Sequence, residues 1–105
     1  MQNGVLFSEG EEMVVARIIG EIDHHFAKNE REKIDAMIFK CKPRQLVLDF
    51  SEVRFMDSSG IGMIIGRSEL CRALGCNVTV RGLNPTLRKL VSLSGVGKIK
   101  NISIE

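Results

Sequence analysis

Residues 55–63 read FMDSSGIGM and gather a carboxylate (Asp57), two hydroxyls (Ser58 and Ser59) and two glycines (Gly60 and Gly62) ahead of a run with helical periodicity. Residues 20–27, GEIDHHFA, add Asp23 and the adjacent His24 and His25. A hydrolase nucleophile would sit in a G-x-S-x-G elbow, whereas Met56 and Asp57 precede the serines here. A triad with His24 or His25 would need the base held against the hydroxyl, and adjacent histidines at a helix start more often serve as solvated or capping groups. Two neighbouring imidazoles point in different directions on a helix and no third ligand has suitable spacing, so no metal or other cofactor is expected. The segment Ser58–Gly62 opens a helix whose free amides can attract an anion. It matches neither G-x-x-x-x-G-K-[ST] nor G-x-G-x-x-G, so nucleotide binding has only those amides in its favour. Two readings remain: Asp57 or Ser58 caps the helix, worth about 1 kcal/mol, or the turn is an open docking surface that phosphorylation can alter. A cap alone does not explain two successive hydroxyls beside small glycines.

The elements that must carry these residues follow from pattern. Val5–Ser8 and Met13–Ile19 read as a β-hairpin joined through Glu9–Glu12. Gly20 ends the second strand, Asp23 caps a helix with a stripe of Ala27, Ile34, Met37, Ile38 and Cys41, and Pro43 stops it. Gln45–Phe50 contains the unbroken Leu46-Val47-Leu48 of a central strand covered on both faces. After the serine turn, Ile61, Ile64, Ile65, Cys71 and Leu74 recur at helical spacing, with Gly75 at the left-handed end position. Asn77–Arg81 is a further strand. Asn84-Pro85 opens a helix through Leu87, Leu90, Val91 and Leu93, closed by Gly95 and Gly97, and Ile99, Ile102 and Ile104 suggest a last strand. The order β-β-α-β-α-β-α-β specifies an α/β fold with one mixed, mostly parallel sheet flanked by helices. In such sheets functional loops lie beyond the carboxyl ends of strands, so residues 20–25 and 55–60 are expected to be neighbours.

Bulk properties narrow the function. The 105 residues suit one domain, and 44% apolar content supports an independent core without metal or disulfide staples. A net charge of +2 from scattered basic residues, with no Trp or Tyr, argues against direct nucleic-acid or membrane binding. No apolar run approaches a membrane span, and residues 1–12 lack the features of a signal peptide, which points to the cytoplasm. Cys41, Cys71 and Cys76 are odd in number and match no zinc spacing, so they read as buried reduced thiols.

The segment LVLDFSEVRFMDSSGIGMIIGR, Leu46 to Arg67, closely resembles the signature of anti-sigma factor antagonists, the bacterial members of the STAS domain family, and GEIDHHFA resembles their second motif. The likeness runs over nearly the whole chain, residues 1–105 forming one STAS domain. It implies a binding module, not an enzyme: the unphosphorylated form binds an anti-sigma factor that is itself an ATP-dependent serine kinase, and so releases a sigma factor. Phosphorylation at the first serine of D-S-S-G, here Ser58, ends that binding, and a PP2C-type phosphatase restores it. The sigma factor is touched only indirectly. The paired His24 and His25 resemble the sporulation branch, which implies sigma-F; a general-stress antagonist acting on a different kinase is the alternative within the family. The implied partner surface comprises Asp23, Asp57, Ser59 and Gly60 around Ser58. Ile61 and Met63 are expected on the outer side of the turn, adding apolar contact area, unless they pack in the core. Family members usually carry another helix after the last strand, and the sequence here runs only to Glu105. A STAS domain that binds a nucleotide or small ligand is the alternative from another class.

Overall fold

A computed structural model describes residues 3–105. Its elements run β1 (Gly4–Gly10), β2 (Met13–Ile22), α1 (His24–Cys41), β3 (Gln45–Met56), α2 (Ser58–Ala73), β4 (Asn77–Arg81), α3 (Pro85–Ser94), a 3-10 turn (Val96–Lys98) and β5 (Ile102–Ile104). This is the order expected from the sequence. The five strands form one sheet in chain order, with β1 antiparallel to β2 and every later pair parallel.

Each helix joins neighbouring parallel strands, and all three steps go the same way across the sheet. Right-handed crossovers therefore bring α1, α2 and α3 to one face. The core bears this out: Val14, Ala16 and Ile18 of β2, Leu46, Leu48 and Phe50 of β3, and Val78 and Val80 of β4 cluster with Ile34, Ile38, Ile64, Cys71, Leu87 and Val91 of the helices. Alternate residues of each strand face this layer, as a two-residue period requires. Val47 points the other way. It is buried yet stands outside the helix-side cluster, between its register neighbours Val15 and Thr79. Flanking strands hide it, not a second helical layer, which corrects the expectation of cover on both faces.

The structure also corrects the extent of β3. It runs on past Phe50 to Met56, and its twelve residues lie beside the ten of β2. The surplus is absorbed where the register slips, once between Arg17/Asp49 and Ile19/Glu52 and again between Gly20/Val53 and Glu21/Phe55. Each slip turns the following side chains to the opposite face. The inward residues of β3 are accordingly Leu46, Leu48, Phe50, Val53 and Met56, with a step of three at each slip.

Helix α2 is turned relative to the expected stripe. Gly60, Met63, Ile64, Arg67, Ser68 and Cys71 are buried, Ile61 and Ile65 are half-buried, and Leu74 is exposed. Apolar residues occur on every side of this helix, so periodicity does not select the buried face. Close packing does. A Cβ on Gly60 would lie 2.5 Å from Met56 Sδ, so only glycine lets the first turn of α2 approach the end of β3 so closely. Buried Arg67 reaches across to α1, its Nε 2.6 Å from Asp35 Oδ1.

Candidate partner-binding site

The site lies where β2 and β3 end side by side. Asp23 follows β2 in an extended conformation and accepts a 2.8 Å hydrogen bond from Phe26 N, capping α1. Asp57 follows β3 in the same way and accepts from Ser59 N at 2.8 Å, capping α2. The two caps are tied together, because Asp57 N donates to the Ile22 carbonyl at 3.1 Å. The two loops expected to be neighbours are therefore joined by a backbone hydrogen bond. Two helix N-termini with their free amides open onto the same end of the sheet.

Asp57, not Ser58, supplies the cap. Ser58 is the first residue of α2 and is exposed, so its hydroxyl is released from capping duty and faces solvent. Ser59 is half-buried, and Gly60 is buried with its N–H on the Asp57 carbonyl at 3.0 Å. Asp23 and Asp57 are exposed. Ile61 is half-buried and leaves some apolar surface beside the turn. Met63, expected on the outer side, is only 3% exposed and belongs to the core, because it lies one turn beyond Gly60 on the face that packs onto the sheet. It offers no contact area to a partner.

His24 and His25 are exposed on the first turn of α1, and His25 Nε2 lies 3.2 Å from Asn29 Nδ2. Among the described residues no three metal-ligating side chains gather at one point. Cys71 and Cys76 are buried free thiols, and burial pushes both up from the usual thiol range. Such thiols are poor nucleophiles. Cys41 departs from the expectation of burial. It is half-exposed, and its Sγ donates to Glu9 Oε1 at 2.9 Å, a contact that raises its pKa.

Residues 7–103 match the STAS domain family. The chain belongs to that family. Among its STAS relatives, the anti-sigma F factor antagonist of Lysinibacillus sphaericus is 37% identical over 86 residues, 82% of this chain and 74% of the relative. The anti-sigma factor antagonist SpoIIAA in its unphosphorylated form superimposes with a TM-score of 0.74 at 28% identity, over 97% of this chain and 87% of that one. The Bacillus cell fate determinant SpoIIAA in its phosphorylated form gives 0.73 at 31% identity, over 97% and 91%. This STAS domain thus fits both states of SpoIIAA equally well.

Sequence reasoning gave no role to Phe55, Glu21 or Arg54, which border the turn. Phe55 is 53% exposed, and Arg54 Nη2 stands 4.0 Å from Glu21 Oε2. No local signal marks them, because Val53 and Phe55 keep an ordinary two-residue alternation and only the register slip turns Met56 inward in place of Phe55. Arg67 and Asp35 were likewise missed as a pair, since nothing local relates positions on two different helices.

Proposed function

We propose that this protein is an anti-sigma factor antagonist whose unphosphorylated form binds an anti-sigma factor serine kinase and thereby releases the sporulation sigma factor, sigma-F. Phosphorylation of Ser58 by the bound kinase switches it off, and a PP2C-type phosphatase returns it to the binding form. The observation that carries the reading is the Ser58 hydroxyl standing free at the start of α2, with Asp57 taking the capping role beside it. The relative antagonising anti-sigma F factor and the existence of a phosphorylated SpoIIAA support it.

The physics of the switch follows from where the charge arrives. A phosphate adds about 1.5 to 2 negative charges at neutral pH. At a helix N-terminus the dipole favours an anion by roughly 0.3 to 1 kcal/mol, so α2 accepts the group and the sheet keeps its shape. Burying that charge unpaired in an interface costs several kcal/mol, and a loss of about 3 kcal/mol weakens binding more than a hundredfold. The interface effect dominates, and the switch acts by blocking docking without refolding. Asp23, Asp57, Ser59, Gly60 and Ile61 form the surface around the hydroxyl, with Asp23 offering a carboxylate to a basic partner residue. The protein acts as a binding module and carries out no chemistry of its own.

Incubation with ATP and the anti-sigma factor kinase of the same organism, followed by mass spectrometry, tests the site. Ser58→Ala keeps partner affinity and takes up no phosphate. Full labelling of that variant would move the site elsewhere, with Ser59 next in line. A large rearrangement of amide chemical shifts across the sheet on phosphorylation would sink the blocked-docking mechanism.

A further inference from the structure

Phe55 is a large aromatic side chain left outside the core by a specific backbone device. In a regular strand the residue two past Val53 would face the same way as Val53, which is buried. The register slip that pairs Gly20 with Val53 but Glu21 with Phe55 makes Arg54 the surplus residue. Met56 therefore turns inward beneath Gly60, and Phe55 turns out to 53% exposure, two residues before the α2 cap. Single exposed apolar residues are common and need no explanation, as with Leu93 on α3 at 78%. Phe55 differs in its surroundings. Pairing of β3 with β4 stops at Asp49/Arg81, Gly82 closes against Ser51, and the strand beyond, where Phe55 lies, pairs only with β2. The exposed carboxylates of Glu21, Asp23 and Asp57 stand at the same end of the sheet, with the Arg54 guanidinium 4.0 Å from Glu21 and the exposed His24 and His25 following Asp23.

We infer that Phe55 is the apolar anchor of the interface, seated in an apolar pocket of the anti-sigma factor that is rimmed by basic side chains. This rests on the reading of the protein as an antagonist that docks through the Ser58 turn. An aromatic ring contributes contact area at low conformational cost, and such residues at the centre of a desolvated patch carry a large share of binding energy. The acidic rim selects a basic partner surface and suppresses docking of acidic ones.

The test is affinity for the purified anti-sigma factor kinase of the same organism, measured by titration calorimetry for Phe55→Ala, Phe55→Leu, Leu93→Ala and Ser58→Asp, each checked for an unchanged thermal midpoint. We expect Phe55→Ala to bind at least tenfold more weakly, Phe55→Leu to recover most of the loss, Leu93→Ala to bind normally and Ser58→Asp to bind at least a hundredfold more weakly. Normal binding by Phe55→Ala alongside weak binding by Ser58→Asp would overturn the anchor and leave the antagonist reading standing. An equal loss for Leu93→Ala would overturn it too, as an unspecific effect of surface apolar area. Normal binding by both Ser58→Asp and Phe55→Ala would take down the docking reading itself.

Discussion

The backbone N–H of Asp57 donates to the carbonyl of Ile22 at 3.1 Å, so the residues that cap α1 and α2 sit at touching strand ends. One hydrogen bond thereby fixes Asp23 and Ser58 on a common rim. Both helix starts depend on carboxylate caps, and the caps make the first prediction. Asp57→Ala and Asp23→Ala each lower stability by about 1 kcal/mol, the usual worth of an N-cap, read as a shift in urea midpoint at constant slope. Ser58→Asp, which adds charge at the first position of α2 without removing a cap, changes stability by less than about 0.5 kcal/mol. A drop of several kcal/mol in Ser58→Asp would mean that the turn cannot hold an anion and that refolding accompanies the switch.

The two glycines of the turn respond oppositely to the same change. An added methyl on Gly60 meets Met56 Sδ at 2.5 Å and its Cβ at 3.2 Å, whereas one on Gly62 meets nothing within 4 Å. Alanine gains up to about 1 kcal/mol over glycine inside a helix. Overpacking costs about 1 to 3 kcal/mol. Gly62→Ala therefore stabilises by about 0.5 kcal/mol and Gly60→Ala destabilises by about 1 kcal/mol, compared by chemical denaturation of the two variants side by side.

The pair Arg67 and Asp35 joins α1 to α2 through side chains that are 9% and 27% exposed. Removing one partner strands the other. Asp35→Ala leaves a guanidinium in the interior without its counter-charge and costs about 3 kcal/mol. Arg67→Ala leaves the better-solvated carboxylate, which water can reach, although the loss of the long side chain also opens space. A double-mutant cycle separates the two effects, with a coupling of about 1 kcal/mol or more expected for residues in contact.

Asp49 ties the far face of the sheet together and gives the fold a pH dependence. Its Oδ1 accepts from Ser51 N at 2.9 Å, and its Oδ2 lies 3.4 Å from Arg81 Nε and 3.9 Å from Arg17 Nε. Burial pushes the carboxyl up, but the hydrogen bonds from Ser51 and the Arg81 guanidinium outweigh it and hold the group below the usual carboxylate range. Because the folded state holds the proton less tightly than the unfolded chain, the contribution is complete above the ordinary Asp range near pH 4 and is lost as pH falls through the lower folded value. Denaturation of Asp49→Asn beside the unmodified protein from pH 7 to pH 2.5 reads this directly. The stability gap narrows in acid, and a gap independent of pH would assign Asp49 a packing role alone.

The order of elements, the capping residues Asp23, Asp57 and Asn84, and the adjacency of the two site loops were legible in the chain. Each depends on neighbours a few residues away: an extended residue whose side chain reaches the amides of the next turn, or the rule that strand ends of a parallel sheet line up. The serine turn was legible for the same reason. Its exposure was expected from the small residues beside it, and the structure leaves Ser58 on the surface.

The α1 stripe of Ala27, Ile34 and Ile38 is buried as its spacing requires, but tertiary structure alone decided which side of α2 and of the far half of β3 faces in. The slips of β3 arise because twelve residues must lie beside ten of β2, and no alternation within residues 45–56 announces where the surplus goes. They end the simple period at Phe50, turn Met56 inward and expose Phe55. The same holds for α2, where isoleucines on several sides left the buried face open until Gly60 docked on Met56, sending Met63 into the core and Ile61 to its edge. Local hydrogen bonding writes itself into neighbouring residues. Close packing between distant segments is settled only when both surfaces meet, and there the shape of the partner strand or helix chooses among faces that hydrophobicity leaves equal.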